Sequence, residues 1–245
     1  ALCEAGEPIL VECYTAPGIK AAARQLRLPL HGVAMDAHGI LPDDLDRQAR
    51  ATGARVAVLT PCLQNPTGAS LDAERRAAIA EVARRRGLWI VEDDVYGVLG
   101  SEAPLAVQAP ERCLLISSLS KSVAPGLRLG FIAGAPELLE RIDPEAQATR
   151  WAVTPLSLAL ACEWIENGIA EQRLAWQIEE LQQRWRLAAR VLGPRMPQGR
   201  AVAPHLWLDG APPVGLVEAC RHSGVEVVPA EVFAVEANPG HAVRI

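Results

Sequence analysis

"LLISSLSKSVAPGLRLGFIAG", residues 114–134, contains Lys121, one of two lysines in a chain whose 24 Lys and Arg residues are otherwise arginine. Both residue types supply positive charge, but only lysine readily loses its proton and condenses with an aldehyde to form an imine. Lys121 stands at the end of an apolar run, among serines, and this setting makes it a candidate Schiff-base residue. Ser118 and Ser120 precede it, and Arg128 follows a Pro-Gly turn. Two hydroxyls and a guanidinium gathered at one loop can hold a phosphate.

The surrounding runs set the fold class. "PILVEC" (8–13), "ARVAVLT" (54–60), "LWIVED" (88–93), "CLLISSL" (113–119) and "LGFIAG" (129–134) are short and rich in Val, Ile and Leu. Runs apolar on both faces predict buried, largely parallel strands. Helical segments lie between them, most clearly "LDAERRAAIAEVARRRG" (71–87). There Ala77, Ile79, Ala80, Val82 and Ala83 form an apolar stripe and Gly87 a C-cap. This alternation predicts an α/β domain with ligands at the carboxyl ends of the strands.

After Pro155 the pattern becomes a long helical stretch, interrupted once near Asn167-Gly168, with Trp164, Leu174, Ile178, Leu181 and Trp185 placed to pack. From Arg200 onward the chain reads as strand "AVAPHLWL", helix "VGLVEACRHSG", strand "VEVVPA" and strand "AVRI". The expected organisation is a mostly parallel large domain (1–154), a helical connection (155–192) and a small α+β domain (193–245). The chain opens at Ala1 without a methionine and stops on "HAVRI", so it is expected to be a piece of a longer protein.

Composition narrows the function classes. A formal charge of −5 argues against a nucleic-acid or anionic-membrane surface in this segment, since either wants a basic face. No apolar run approaches the roughly 18 residues that span a bilayer, and neither a membrane span nor a signal peptide is expected. Six scattered cysteines lack a C-x-x-C pair and the five histidines lack zinc-like spacing, so no metal site is expected and the thiols read as reduced, cytoplasmic ones.

Two further motifs join Lys121. "VEDDVYG" (91–97) ends a predicted strand with Asp93 and Tyr96 three residues apart, a carboxylate and a phenol at one sheet edge. "TPCLQNPTGASL" (60–71) places Asn65 in an Asn-Pro-Thr-Gly turn at a third strand end. An imine-forming lysine, a carboxylate, a phenol, an amide and a phosphate-gripping cluster together match the requirements of pyridoxal 5'-phosphate.

The order N-P-T-G, D-x-x-Y, S-x-S-K-x6-R resembles fold-type I, aspartate-aminotransferase-like enzymes dependent on that cofactor, along the whole of residues 1–245. The resemblance implies that Lys121 forms the imine and that Asp93 keeps the pyridine nitrogen protonated. It implies that Tyr96 and Asn65 hydrogen-bond the phenolic oxygen and lower the imine's pKa. Ser118, Ser120 and Arg128 match the phosphate clamp, and Arg244 matches the arginine that binds a substrate's α-carboxylate. Two features depart from the family pattern. A glycine-rich loop that also grips the phosphate belongs upstream of Ala1, and Ala16 in "VECYTAPGI" stands where an aromatic usually stacks on the ring, with Tyr14 displaced along the strand.

"LTPCLQNPTGASLDAERRAAIA", "VEDDVYGVL", "SSLSKSVAPGLRLGFI", "ATRWAVTPLSLALACEWIENG" and "PHLWL" are more narrowly similar to the aminotransferase-like domain of MocR-type regulators of the GntR family. That resemblance implies an effector-sensing, homodimerising domain that binds an amino acid or amine as the external aldimine. DNA would then be contacted only by a winged helix elsewhere in the protein. A free-standing aminotransferase, exchanging an amino group between an amino acid and a 2-oxo acid, is the alternative, and a scaffold that no longer binds the cofactor is the third reading.

Overall fold

The five apolar runs become strands, and three further short strands join them. In a computed structural model that describes residues 2–142, 153–197, 200–210, 215–237 and 240–245, they are β1 (Ile9–Glu12), β2 (Leu30–Val33), β3 (Met35–Asp36), β4 (Gly39–Ile40), β5 (Val56–Leu59), β6 (Trp89–Asp93), β7 (Cys113–Ser118) and β8 (Gly130–Gly134). Six of them make one sheet in the order β2-β1-β5-β6-β7-β8, parallel throughout except for the antiparallel β7–β8 pair. β3 and β4 form a separate small hairpin.

Side-chain alternation gives the sheet two apolar faces. On one, Leu10, Ala57, Leu59, Ile90 and Cys113 pack against the helices α2 (Pro42–Thr52) and α3 (Ala73–Arg86). On the other, Ile9, Val56, Val58, Trp89 and Val91 pack with Ala23 of α1 (Pro17–Leu26). The α3 boundaries follow local chemistry. Asp72 caps the start by accepting the Arg75 N–H, and Gly87 closes the end in the left-handed conformation that glycine adopts without a Cβ penalty.

The stripe of α3 differs from expectation at one position. Ala77 is exposed, and Arg76, at 2% exposure, is buried instead. Its guanidinium donates to Leu71 O (3.0 Å) and Pro61 O (3.2 Å) and stands 3.9 Å from Glu92, which is fully buried. Glu92 in turn accepts the N–H groups of Leu105 (2.7 Å) and Ala106 (2.8 Å). A charge can enter the core there because each member has partners.

β8 also departs from expectation. All five of its residues are exposed, Phe131 at 48% and Ile132 at 40%, so it is not a buried strand. As the last strand of the sheet it has one neighbour, and among the described residues nothing covers its faces.

Beyond a short α4 (Pro136–Leu139), the long helical stretch divides as expected into α5 (Pro155–Glu166) and α6 (Ile169–Leu192), with Gly168 left-handed between them. Residues 148–152, the start of "ATRWAVTPLSLALACEWIENG", lie outside the described residues. Leu181 is buried, whereas Trp164, Leu174, Ile178 and Trp185 are half-buried on one side of the helices. The C-terminal region gives β9 (Trp207–Asp209), α7 (Leu216–His222), β10 (Val228–Pro229) and β11 (Ala242–Arg244); the expected helix start at Val214 lies outside the described residues. The strands form an antiparallel sheet in the order β10-β11-β9. The strand expected over 201–208 shrinks to β9 because its first half is used otherwise. Ala203 O accepts the Trp185 Nε1–H (2.6 Å), Pro204 has no N–H, and the His205 side chain turns to Gln64.

The two sheets are joined by backbone. Beyond β1 the chain pairs Tyr14 with Ala234, with Thr15 N donating to Phe233 O (3.0 Å) and Val235 N to Cys13 O (3.0 Å). Lys20 on α1 adds side-chain bonds to Val232 O (2.9 Å) and Ala234 O (2.5 Å). None of the helices is long and apolar enough to cross a membrane, among the described residues.

Truncating Arg76 leaves the Glu92 carboxyl buried beside an empty space. R76A is expected to lose about 3–5 kcal/mol of unfolding free energy in urea denaturation, the cost of an uncompensated buried charge. R76M, which restores volume, should lose less.

Candidate cofactor and substrate site

β5, β6 and β7 are adjacent and parallel, so their carboxyl ends lie side by side, and each carries one of the sequence motifs. Asn65 follows β5, Asp93 closes β6, and Ser118 closes β7 with Lys121 in the turn beyond it. The structure therefore brings the three motifs to one sheet edge.

Asp93 and Asp94 are neighbours in sequence with opposite surroundings. Burial pushes the Asp93 carboxyl up, while the Val95 N–H and the nearby Lys121 charge draw it down. Its Oδ1 accepts the Val95 N–H at 3.4 Å; its other oxygen has no hydrogen bond among the described residues. Burial raises Asp94 to about 6, and the charge acting against that is Arg76, on the α3 side of the sheet. The Asp94 carboxylate lies tight against Gly97, where a Cβ would collide with it. Asp93, not Asp94, shares its surroundings with Lys121.

Tyr96 is buried, with Lys121 Nζ 5.6 Å above its ring centroid. Burial pushes its phenol up, the Arg244 charge lowers it, and Asp93 raises it further. Arg244 lies on β11, the middle strand of its sheet rather than an edge. Its guanidinium stacks 4.8 Å over Phe233 and donates to Asn65 Oδ1 at 2.8 Å. Because arginine only donates, the Asn65 carbonyl must face it, and the amide nitrogen is left to donate elsewhere.

Ser118 Oγ accepts the Ser120 N–H at 3.2 Å. The β7–β8 register pairs Ser118 with Gly130, so Ser120 and Arg128 each stand two residues beyond that pair, on facing chains. Arg128 is exposed and holds the left-handed conformation (φ 51°) where the short 3-10 turn Pro125–Leu127 ends. The hydroxyls and the guanidinium thus flank one turn next to Lys121.

Several neighbours carried no sequence signal. Gln64, 1% exposed, looks from the sequence like any turn residue, yet it donates from Nε2 to Tyr14 O (2.7 Å) and accepts from Thr67 N–H (3.1 Å) and Thr67 Oγ1 (2.7 Å). Tyr14 does not serve the site. Its ring packs 5.2 Å from Trp207 and its hydroxyl accepts the Gly240 N–H (2.9 Å), so no aromatic replaces Ala16 from that position.

At the ends of β1 and β5 lie three buried oxygens without hydrogen bonds among the described residues: Glu12 Oε2, Thr15 Oγ1 and Thr60 Oγ1. Glu12 Oε1 accepts the Thr60 N–H at 2.6 Å. Burial, aided by the Asp93 charge and opposed by backbone hydrogen bonds, pushes the Glu12 carboxyl up to about 7.

As chemistry, the edge offers an amine, a half-buried carboxylate, a phenol and an amide, with two hydroxyls and a guanidinium flanking the turn beside the amine. This is the donor set for a phosphorylated aromatic aldehyde with a basic ring nitrogen. The six-stranded sheet and the position of the set on it define an aminotransferase-like fold.

The chain belongs to the aminotransferase class I and II family, whose model matches residues 1–242. It is 32% identical over 170 residues to the uncharacterized HTH-type transcriptional regulator YdfD of Bacillus subtilis, covering 67% of this chain and 35% of that protein. It is 35% identical over 155 residues to aminotransferase swnA of Metarhizium robertsii, covering 56% of this chain and 31% of the relative. The matched segment spans about a third of the length of either relative. Among solved structures it is similar to LysN, the α-aminoadipate aminotransferase of Thermus thermophilus. The TM-score is 0.88 at 23% identity, over 100% of this chain and 67% of that one.

Glu12 binds its proton more tightly in the folded chain (about 7) than unfolded (4.5). Its contribution to stability is therefore complete below about pH 4.5 and is lost as the pH rises through 7. Compared with E12Q, which keeps an acceptor for the Thr60 N–H, the native protein is expected to lose about 3 kcal/mol more between pH 4.5 and 8, measured by denaturant titration across that range.

Proposed function

We propose that this chain binds pyridoxal 5'-phosphate through Lys121 and forms the effector-sensing and homodimerising part of a cytoplasmic transcriptional regulator that detects an amino acid or amine. The observation that carries the cofactor reading is the meeting of Asp93, Tyr96 and Lys121 at one sheet edge, with Lys121 Nζ 5.6 Å above the Tyr96 ring. The regulator reading is supported by the likeness to YdfD and by the acidic balance of −5, which suits a segment whose DNA contacts lie elsewhere. All six cysteines are free, in keeping with a reducing compartment.

Each residue has a chemical task in this reading. When bound, the cofactor supplies an aldehyde and a pyridine ring that accepts the electron pair left at a substrate's Cα. Asp93 offers its free oxygen to the ring N–H. Tyr96 and the Asn65 amide nitrogen donate to the phenolic oxygen. Ser118, Ser120 and Arg128 hold the phosphate. Arg244 binds the ligand's α-carboxylate bidentately while its bond to Asn65 ties that carboxylate to the cofactor's phenolic side. Lys121 would hold the cofactor's aldehyde carbon and, as a free amine, would carry protons at the ligand's Cα. The parts fall into a large domain (1–154), a helical connection (155–192) and a small domain (193–245), with the site at the junction of the first and last.

The second reading, a free-standing aminotransferase, is favoured by the likeness to swnA. The two separate in one assay on the complete protein. Amino-acid-dependent change in DNA binding without amino transfer to a 2-oxo acid supports the regulator, and multiple-turnover transfer without DNA binding supports the enzyme.

Borohydride reduction of the cofactor-loaded protein, followed by peptide mass mapping, is expected to place the adduct on Lys121. The amine of the other lysine, Lys20, is occupied by Val232 O and Ala234 O. An adduct elsewhere, or none, rules out the assignment.

Removing the guanidinium of Arg244 is expected to cost amino-acid binding about 1.5–3 kcal/mol, the range for a charge-assisted pair, in a calorimetric titration. Affinity for an amine that lacks a carboxylate should stay within a factor of about three.

A further inference from the structure

Arg244 on β11 and His205, two residues before β9, grip Asn65 of the Asn-Pro-Thr-Gly turn and Gln64 just before it. Leu206 and Ile245 exchange both backbone hydrogen bonds, Leu206 N to Ile245 O at 3.0 Å and Ile245 N to Leu206 O at 2.9 Å. In this antiparallel register Arg244 pairs with Trp207, and His205 lies two residues before Trp207 on the chain entering β9. Arg244 holds the Asn65 side chain (2.8 Å), and His205 Nε2 holds the Gln64 carbonyl (3.0 Å).

His205 is 8% exposed. A carbonyl oxygen only accepts, so the proton sits on Nε2 and the neutral tautomer is fixed by its partner. The same imidazole meets the Tyr96 ring edge-on, at 5.7 Å between centroids and 61° between planes. Edge-on packing of this kind restrains both rings. Burial, together with the positive charges of Arg244 and Lys121 and against the Gln64 carbonyl, holds the imidazole at about 4, so no third cation joins those two at neutral pH.

We propose that His205 is a positioning residue of this site: it fixes the Tyr96 ring and the peptide leading into Asn65, and so sets how both groups meet the cofactor's phenolic oxygen. The inference rests on the cofactor reading given above for Lys121, Tyr96 and Asn65. Arg244, which receives the ligand's carboxylate in that reading, pairs with Trp207, two residues after His205.

The test uses the protein loaded with pyridoxal 5'-phosphate and reads the pH midpoint of the visible band of its Lys121 linkage, for the native chain, H205L and H205Q. H205L loses both contacts; H205Q keeps a donor for the Gln64 carbonyl. The expected result is an upward shift of about half to one pH unit in H205L and a smaller one in H205Q, with borohydride still labelling Lys121 in both. An unshifted midpoint in a labelled H205L overturns the proposal and leaves the cofactor reading standing. Should H205L fail to hold the linkage, H205Q decides alone, and an unshifted midpoint there overturns it. Should the native chain form no linkage at Lys121, the cofactor reading itself falls. The positioning role is then read in the cofactor-free protein from the carbon-13 ring resonances of its two tyrosines. Movement of Tyr96 but not Tyr14 in H205Q is expected, and an unmoved Tyr96 overturns the role.

Discussion

A buried glutamine fastens the site together. Gln64 offers a backbone N–H, a backbone carbonyl, a side-chain carbonyl and an amide group, and structure around it uses each. Its N–H donates to Ala69 O (2.8 Å), and its carbonyl accepts from Gly68 N (2.6 Å) and His205. Its side chain reaches the end of β1 at Tyr14 and the next residues of its own turn at Thr67. At 1% exposure no water could replace these partners, so each lost bond would leave a desolvated polar group. The turn that presents Asn65 is therefore braced by the chain beyond β1, by its own residues and by the chain entering β9 at once.

Strand alternation performs the second organising step. On β6 the side chain of Glu92 goes to the α3 face, where Arg76 and two backbone N–H groups receive it, and Asp93 is left for Lys121. Asp94 falls back toward Arg76. Three consecutive carboxylates thus have three fates, and only one faces the site. A one-residue slip in β6 would hand the site a different acid and drive Asp93 into the core.

The fold was largely legible because its signals are local. Short Val/Ile/Leu runs, the Gly87 cap and the Asn167-Gly168 break each act within a few residues, and each appears where its chemistry puts it. What was misread depended on distant partners. Arg76 looks like a surface residue until Glu92, on another element, gives it a reason to be buried. β8 looks like a core strand until its position at the sheet's end leaves it exposed. The strand expected over residues 201–208 shortens because Trp185, far away in sequence, takes the Ala203 carbonyl and Pro204 has no N–H to pair.

The candidate site divides along the same line. By itself the sequence determined the residue types and their order, since an imine needs a deprotonable amine, a phosphate needs fixed charge and hydroxyls, and those choices are written one residue at a time in Lys121, Arg128, Ser118 and Ser120. Only the tertiary structure decided that Arg76 and Glu92 meet in the core, that Tyr14 turns to Trp207, and that His205 and Arg244 reach Gln64 and Asn65. Those outcomes depend on parallel register and on the pairing of Leu206 with Ile245, contacts between residues far apart in the chain that no local pattern encodes.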